Sequence, residues 1–64
     1  MTKLLTLEEV ASRTRVPVAT LRYWRSIGTG PSTFRLGRRV MAYEDEVENW
    51  IESEAAKDRS RQPA

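Results

Sequence analysis

The residues of this 64-residue chain that are best suited to bind another molecule are its arginines. Positions 1–43 hold eight cationic and two acidic residues, a net charge of +6, and seven of the eight cations are arginine. The guanidinium group is a planar fork that matches phosphate oxygens and the edge of guanine. Positions 44–64 carry a net charge of −4 instead. This separation of charge predicts a polyanion as the partner of the first part of the chain.

Other chemistry is excluded by composition. The chain has no histidine and no cysteine, so it lacks the nucleophile–histidine pairs and the thiolate or imidazole ligands of most catalytic and metal sites. We therefore predict no enzyme, no metal, no cofactor and no small-molecule ligand. The acidic run Glu44–Glu48 is typical of a helix start. No apolar run has the length of a membrane span, and Glu8 interrupts the leucines near the first residue. We expect a cytoplasmic protein.

Two short helices are predicted to position the first arginines. Thr6–Glu9 has the form of a capping box, which favours a helix from there to Thr14. A proline disfavours helical geometry in the residue before it, so Val16 ends this segment. A second helix is predicted over Pro17–Ser26, with Gly28 as its left-handed stop.

A hairpin and a third helix are predicted to follow. The runs Ser32–Leu36 and Val40–Tyr43 are rich in β-type residues, and Gly37–Arg39 separates them. The third helix begins near Glu44, and residues 55–64 are expected to form a frayed or disordered polar tail after a domain of residues 1–54. The apolar face of this helix consists of Val47, Trp50 and Ile51.

The two short helices have the layout of a helix-turn-helix. Apolar residues and one threonine fall where that motif places its packed side chains: Val10, Ala11, Thr14, Val16, Leu21 and Trp24. The turn of the motif commonly contains a glycine with a positive φ, and this chain has Arg15 there. We expect Trp24 and Trp50 in the core, with Phe34 and Tyr43 attaching the hairpin to it.

The order of these features resembles a known group of domains. Val16 and Pro17 precede the stretch Thr20–Trp24, and a hairpin containing Gly37–Arg39 follows. From residue 4 to about residue 53, the chain resembles the winged helix-turn-helix domains of phage excisionases, also called recombination directionality factors, and of the MerR superfamily. The resemblance implies a small winged helix-turn-helix fold, α+β and mostly helical, built from a helix-turn-helix, a two-stranded hairpin as the wing, and a third helix.

The resemblance also implies that the second helix enters the major groove of DNA and that the wing reaches the adjacent minor groove or its phosphates. Arg22 is expected at or beside a base edge, and the resemblance adds phosphate contacts by Thr20 and Tyr23. Arg38 and Arg39 are expected in a narrow minor groove. The candidate DNA-binding residues are Val18, Ala19, Thr20, Arg22, Tyr23 and Ser26 in the recognition helix, and Arg35, Arg38 and Arg39 in the wing.

Three functional hypotheses follow. The first is a sequence-specific binder of double-stranded DNA that acts as an architectural protein of the excisionase type. Such a protein binds cooperatively with neighbouring copies, bends DNA and directs excision by an integrase. The second is a small transcriptional regulator similar to AlpA-like or MerR-like proteins. The third, of another class, is a protein-interaction module without DNA binding, in which the wing and the acidic third helix bind a partner.

Overall fold

A computed structural model of the chain describes residues 3–61. It contains three helices and a three-stranded antiparallel sheet in the order β1-β3-β2. The elements are β1 (Leu4–Thr6), α1 (Leu7–Thr14), α2 (Val18–Ile27), β2 (Phe34–Leu36), β3 (Arg39–Tyr43) and α3 (Glu44–Arg61). Helix α1 contacts β1, β3 and α2, while α3 contacts β3. This is the mostly helical α+β winged helix-turn-helix fold that the sequence predicts.

Strand β1 is absent from the sequence prediction, which gave a two-stranded hairpin alone. It pairs antiparallel with β3, and Leu5 lies opposite Ala42. Both side chains are buried. Three residues are too few to show the alternation that identifies a strand, and the partner strand is distant in the sequence. The pairing therefore depends on the tertiary structure rather than on a local pattern.

Helix α1 begins with the capping box that the sequence predicts. The Thr6 hydroxyl accepts a hydrogen bond from the Glu9 N–H at 3.1 Å, and Glu9 Oε1 accepts one from the Thr6 N–H at 2.8 Å. The hydrogen bond from the Thr6 backbone is the main cause that holds the pKa of Glu9 below its ordinary value of 4.5. Because α1 is short, these hydrogen bonds contribute much of the stability of its first turn.

The core collects apolar side chains from five elements, each at most 4% exposed. They are Leu5, Leu7, Val10, Leu21, Ala42 and Val47. Trp24 packs against this core as predicted, and the ring centroid of Trp50 lies 5.7 Å from that of Trp24. A Cβ atom on Gly30 would lie 3.0 Å from Trp24 Cε3, so the missing side chain leaves room for the indole. Trp50 thus joins α3 to α2 through the other indole.

One face of the sheet is turned away from the core. The strand register places seven side chains on it, which we call the outer sheet face: Leu4, Thr6, Phe34, Leu36, Arg39, Met41 and Tyr43. The rings of Phe34 and Tyr43 lie 5.2 Å apart. The prediction that these two aromatics attach the hairpin to the core is therefore wrong, because they pack against each other on the opposite face.

Helix α3 continues to Arg61, where the sequence predicted a frayed tail from residue 55. The prediction relied on the loss of apolar periodicity, but these turns have local support. Ala55 and Ala56 are strong helix formers, and Lys57 Nζ lies 3.0 Å from Glu54 Oε2 one turn earlier. The expected disorder of residues 62–64 lies outside the described residues.

Candidate nucleic-acid interface

The turn between α1 and α2 is the feature that orients the second helix. Arg15 adopts a left-handed conformation, with φ 59° and ψ 28°, at the end of α1. Pro17 then stands at the start of α2, and its carbonyl accepts a hydrogen bond from the Leu21 N–H at 3.1 Å. Arg15 therefore takes the positive φ for which this motif commonly uses glycine, at some cost in backbone strain.

The exposed face of α2 carries most of the residues predicted for the recognition helix. Ala19, Arg22, Tyr23 and Ser26 are exposed, and Tyr23 is 60% exposed. The Ser26 hydroxyl donates to the Tyr23 carbonyl at 2.6 Å, so its proton is already engaged within the helix. Such a face leaves a guanidinium, a phenol and two small side chains open to a partner.

Two predicted residues of α2 are less open. Val18 is half-buried and packs against the core, although the sequence interpretation placed it off the buried face. It precedes the buried Leu21 by three positions, and residues at that spacing share a helix face. Thr20 is half-buried as well. The open part of the helix is therefore narrower than predicted.

The wing is the β2–β3 hairpin, and its tip is a two-residue turn of Gly37 and Arg38. Gly37 has φ 65° while Arg38 has a negative φ, which is the pattern of a type II′ turn with glycine first. Arg39 is the first residue of β3 and lies opposite Leu36. Both arginines are exposed, and we call them the wing-tip arginines, although Arg39 belongs to β3 and not to the turn in which the sequence predicted it.

Arg35 of the wing is also exposed. It lies opposite Val40 in the strand pairing, on the face of the sheet away from the outer sheet face. This places the third predicted wing arginine on the same side of the sheet as the recognition helix.

A cleft of about 430 Å³ brings the recognition helix and the wing together. Its lining is Thr6, Leu7, Glu8, Arg22, Arg38, Arg39 and Val40. Three arginines from the recognition helix and the wing thus line one cavity, which we call the arginine cleft. The sequence predicted all three arginines but not that they share a site.

The first turn of α1 forms the other wall of the arginine cleft, and sequence reasoning missed it. The sequence predicts that Thr6, Leu7 and Glu8 begin α1, but not that they line a cleft. Glu8 is exposed and brings a carboxylate to the cleft. No local signal identifies this wall, because it depends on how the sheet carries the wing past α1.

The electrostatics of the cleft differ from those of the rest of the molecule. Arg13, on the last turn of α1, lies 2.9 Å from Glu44 Oε2 and 3.0 Å from Glu48 Oε1. Within residues 3–61, neither Arg22 nor the two wing-tip arginines form an ion pair. Arg13 therefore pairs with two carboxylates of the acidic helix α3. The arginines of the cleft have no carboxylate partner within residues 3–61 and are available to an external anion.

In residues 3–61, no group of acidic residues is arranged to hold a metal ion. No helix in this range combines the length and the apolar character that crossing a membrane requires.

The comparisons with known proteins give one positive result. No curated protein and no solved structure matches the chain. A family model described as a helix-turn-helix domain matches residues 4–55, which include every element from β1 to most of α3. The chain therefore belongs to this helix-turn-helix domain family, which includes small DNA-binding proteins of the excisionase and AlpA-like type.

Proposed function

We propose that this chain is a sequence-specific binder of double-stranded DNA that acts as an architectural protein of the excisionase type. In this role it binds cooperatively, bends the duplex and helps an integrase to carry out excision. Family membership indicates DNA binding by a small helix-turn-helix protein. The observation that carries the proposal is the arginine cleft, where recognition helix and wing present unpaired guanidinium groups on one side of the fold.

The exposed face of α2 is the part proposed to enter the major groove. The small side chains of Ala19 and Ser26 permit close approach to base edges, and Arg22 and Tyr23 supply donors. Thr20 and Val18 lie at the first turn of the helix, where backbone phosphates are commonly contacted. Their half-buried positions support a role in setting the height of the helix above the groove.

The wing is proposed to insert Arg38 and Arg39 into the adjacent minor groove, with Arg35 on the flanking phosphates. Arginine favours a narrow minor groove because the negative potential is enhanced there. A two-residue turn is narrow, and both arginines at the tip are exposed. These features support insertion with little rearrangement of the hairpin.

The position of the positive charge supports bending of the DNA. Arginines on one side of the fold neutralise phosphates on one side of the duplex, which lowers the cost of curvature toward the protein. The outer sheet face supports contact between copies, because five of its seven side chains are apolar and Leu4, Leu36 and Tyr43 are at least 38% exposed. The outer sheet face is smaller than the interface of a stable dimer. Its size suits copies that associate only when DNA aligns them.

The first experiment is duplex binding by fluorescence anisotropy over a salt series. The Arg38→Ala, Arg39→Ala double variant is compared with wild type. We expect wild-type affinity to fall steeply with salt, and the variant to lose about 0.9 in logarithmic slope per phosphate contact removed. The Lys57→Ala, Arg59→Ala double variant removes the same charge from α3 and is the matched control. Wild-type protein that does not bind at low salt would overturn the proposal and favour a protein-interaction module.

A circular-permutation assay then tests the architectural role. The proposal requires slower migration when the bound site is central, as expected for bent DNA. Tight binding to straight DNA by a single copy would contradict the excisionase role and favour the small transcriptional regulator instead.

A further inference from the structure

We infer that the arginine cleft seats one strand of the DNA backbone, so that Arg22 and the wing-tip arginines bind neighbouring phosphates of the same strand. This inference rests on the proposed function and makes it more specific. It replaces the base-edge contact expected for Arg22, and the minor-groove insertion expected for Arg38 and Arg39, with phosphate contacts. The ligand chemistry is the phosphodiester, whatever the base sequence.

The geometry of the duplex provides the first argument. A recognition helix in the major groove and a wing in the adjacent minor groove are separated by one backbone strand. The space between α2 and the wing in this fold is the arginine cleft, and Arg22 lines it together with Arg38 and Arg39. A guanidinium that borders this space faces the strand between the grooves rather than the floor of either groove.

The charge balance of the cleft provides the second argument. Three guanidinium groups border one cavity without an ion pair among residues 3–61, and Glu8 is the acidic residue of its lining. The free cleft therefore carries an excess of positive charge. Phosphodiester oxygens accept bidentate hydrogen bonds from arginine and neutralise that excess.

Positive charge also lies on the flank of the cleft. Arg35 lies opposite Val40 in the strand pairing, and Val40 itself lines the cleft. Arg35 is exposed and lies beside Val40 on the same strand face, next to the cleft. A DNA backbone that leaves the cleft along the wing can also contact Arg35. A single small anion bound in the cleft needs no such second contact.

A double-mutant cycle on a short random-sequence duplex tests the inference, because such a duplex reports phosphate contacts and averages out base reading. The variants are Arg22→Gln, Arg38→Ala and their combination, with affinity measured by anisotropy over a salt series. We expect Arg22→Gln alone to weaken binding severalfold and to reduce the logarithmic salt slope by about 0.9. The combined variant should lose clearly less affinity than the product of the single losses, because the two residues share one ligand.

The control cycle pairs Arg22→Gln with Arg59→Ala on α3, where we expect the losses to multiply. Circular dichroism confirms that each variant keeps its helices, since the substituted side chains are exposed. Unchanged random-duplex affinity and slope in Arg22→Gln would overturn the inference, as would losses that multiply in the Arg22–Arg38 cycle. In both cases, salt-dependent binding by wild type would leave the proposed function in place. Wild-type protein without duplex binding would overturn the proposed function and the inference together.

Discussion

At the scale of single residues, Arg15 adopts the strained backbone conformation that the turn of the helix-turn-helix requires. Its φ of 59° lies in the left-handed region, which costs an L-residue about 1–2 kcal/mol. We predict that Arg15→Gly stabilises the fold by about 1 kcal/mol, since the strain removed exceeds the added entropy of the unfolded chain. Urea denaturation followed by circular dichroism measures this change.

The control for Arg15→Gly is Arg25→Gly, which removes the same charge from within α2. Glycine inside a helix is expected to destabilise the fold by about 1 kcal/mol. Opposite signs for the two variants are the predicted result. A loss of stability in Arg15→Gly would mean that the arginine side chain contributes more to the turn than its backbone costs.

Glu9 gives the fold a predictable response to acid. Its pKa is lowered below 4.5 in the folded state, chiefly by the hydrogen bond from the Thr6 backbone. A depressed carboxyl pKa stabilises the fold fully above 4.5, and this contribution is lost as the pH falls through the folded-state pKa. We predict that wild type has a higher Tm than Glu9→Gln at neutral pH and that the difference shrinks below pH 4.5. A difference that stays constant over this range would exclude the carboxylate as its source.

At the scale of elements, the two indoles make unequal contributions to the attachment of α2 and α3. Both indoles are half-buried, but Trp24 packs against the core, whereas Trp50 contacts Trp24. We predict a loss of about 3–5 kcal/mol for Trp24→Ala, which is much of the stability of so small a domain. Trp50→Ala should cost about 2 kcal/mol, because Trp50 contacts the Trp24 ring rather than the buried core cluster.

Chemical denaturation of both tryptophan variants and of the combined variant tests this order. The ring contact predicts a coupling of about 0.5–1.5 kcal/mol between the two substitutions. A Trp50→Ala variant that is as stable as wild type would mean that Val47, Ile51 and the Arg13 ion pairs attach α3 without a contribution from the indole contact. That outcome would leave the rest of the fold unaffected.

The helices and strands that have a local signal in the sequence are predictable, and those that depend on distant contacts are not. The capping box of α1 and the glycine stop of α2 are local signals, and the structure contains both. Strand β1 has no such signal, since its evidence is a pairing with a distant strand. Helix α3 extends past its apolar face because alanines and a Lys57–Glu54 pair support it locally. An apolar pattern therefore marks where a helix is buried, not where it ends.

The candidate site was predictable in its members but not in its arrangement. Arginine on an exposed helix face and at a hairpin tip is visible in the sequence, so Arg22, Arg38 and Arg39 were identified. Their convergence on one cleft depends on the sheet, whose third strand was not predicted. The prediction for Val18 is wrong for a simpler reason, because Val18 precedes the buried Leu21 by three positions and so shares its helix face.

At the scale of the whole molecule, charge and apolar surface are distributed in a way that suits a protein used in several copies. The Arg13 ion pairs hold the acidic helix α3, while the arginine cleft stays open. Thr6 and Arg39 of the outer sheet face border the cleft, whereas the exposed apolar residues of this face, Leu4, Leu36 and Tyr43, do not line it. A copy bound through its cleft therefore keeps this apolar face available to its neighbour on the same duplex.

This arrangement predicts that cooperativity and single-copy affinity are separable. On a duplex long enough for several copies, we expect the Leu4→Gln, Tyr43→Gln double variant to bind with reduced cooperativity, because the polar side chains weaken contact between neighbouring outer sheet faces. On a duplex that holds one copy, its affinity should equal that of wild type. Ile27→Gln, which replaces a 57% exposed apolar residue of α2, is the control for surface polarity. Binding isotherms on the two duplex lengths measure both quantities, and cooperativity that persists in the double variant would show that copies meet through another surface.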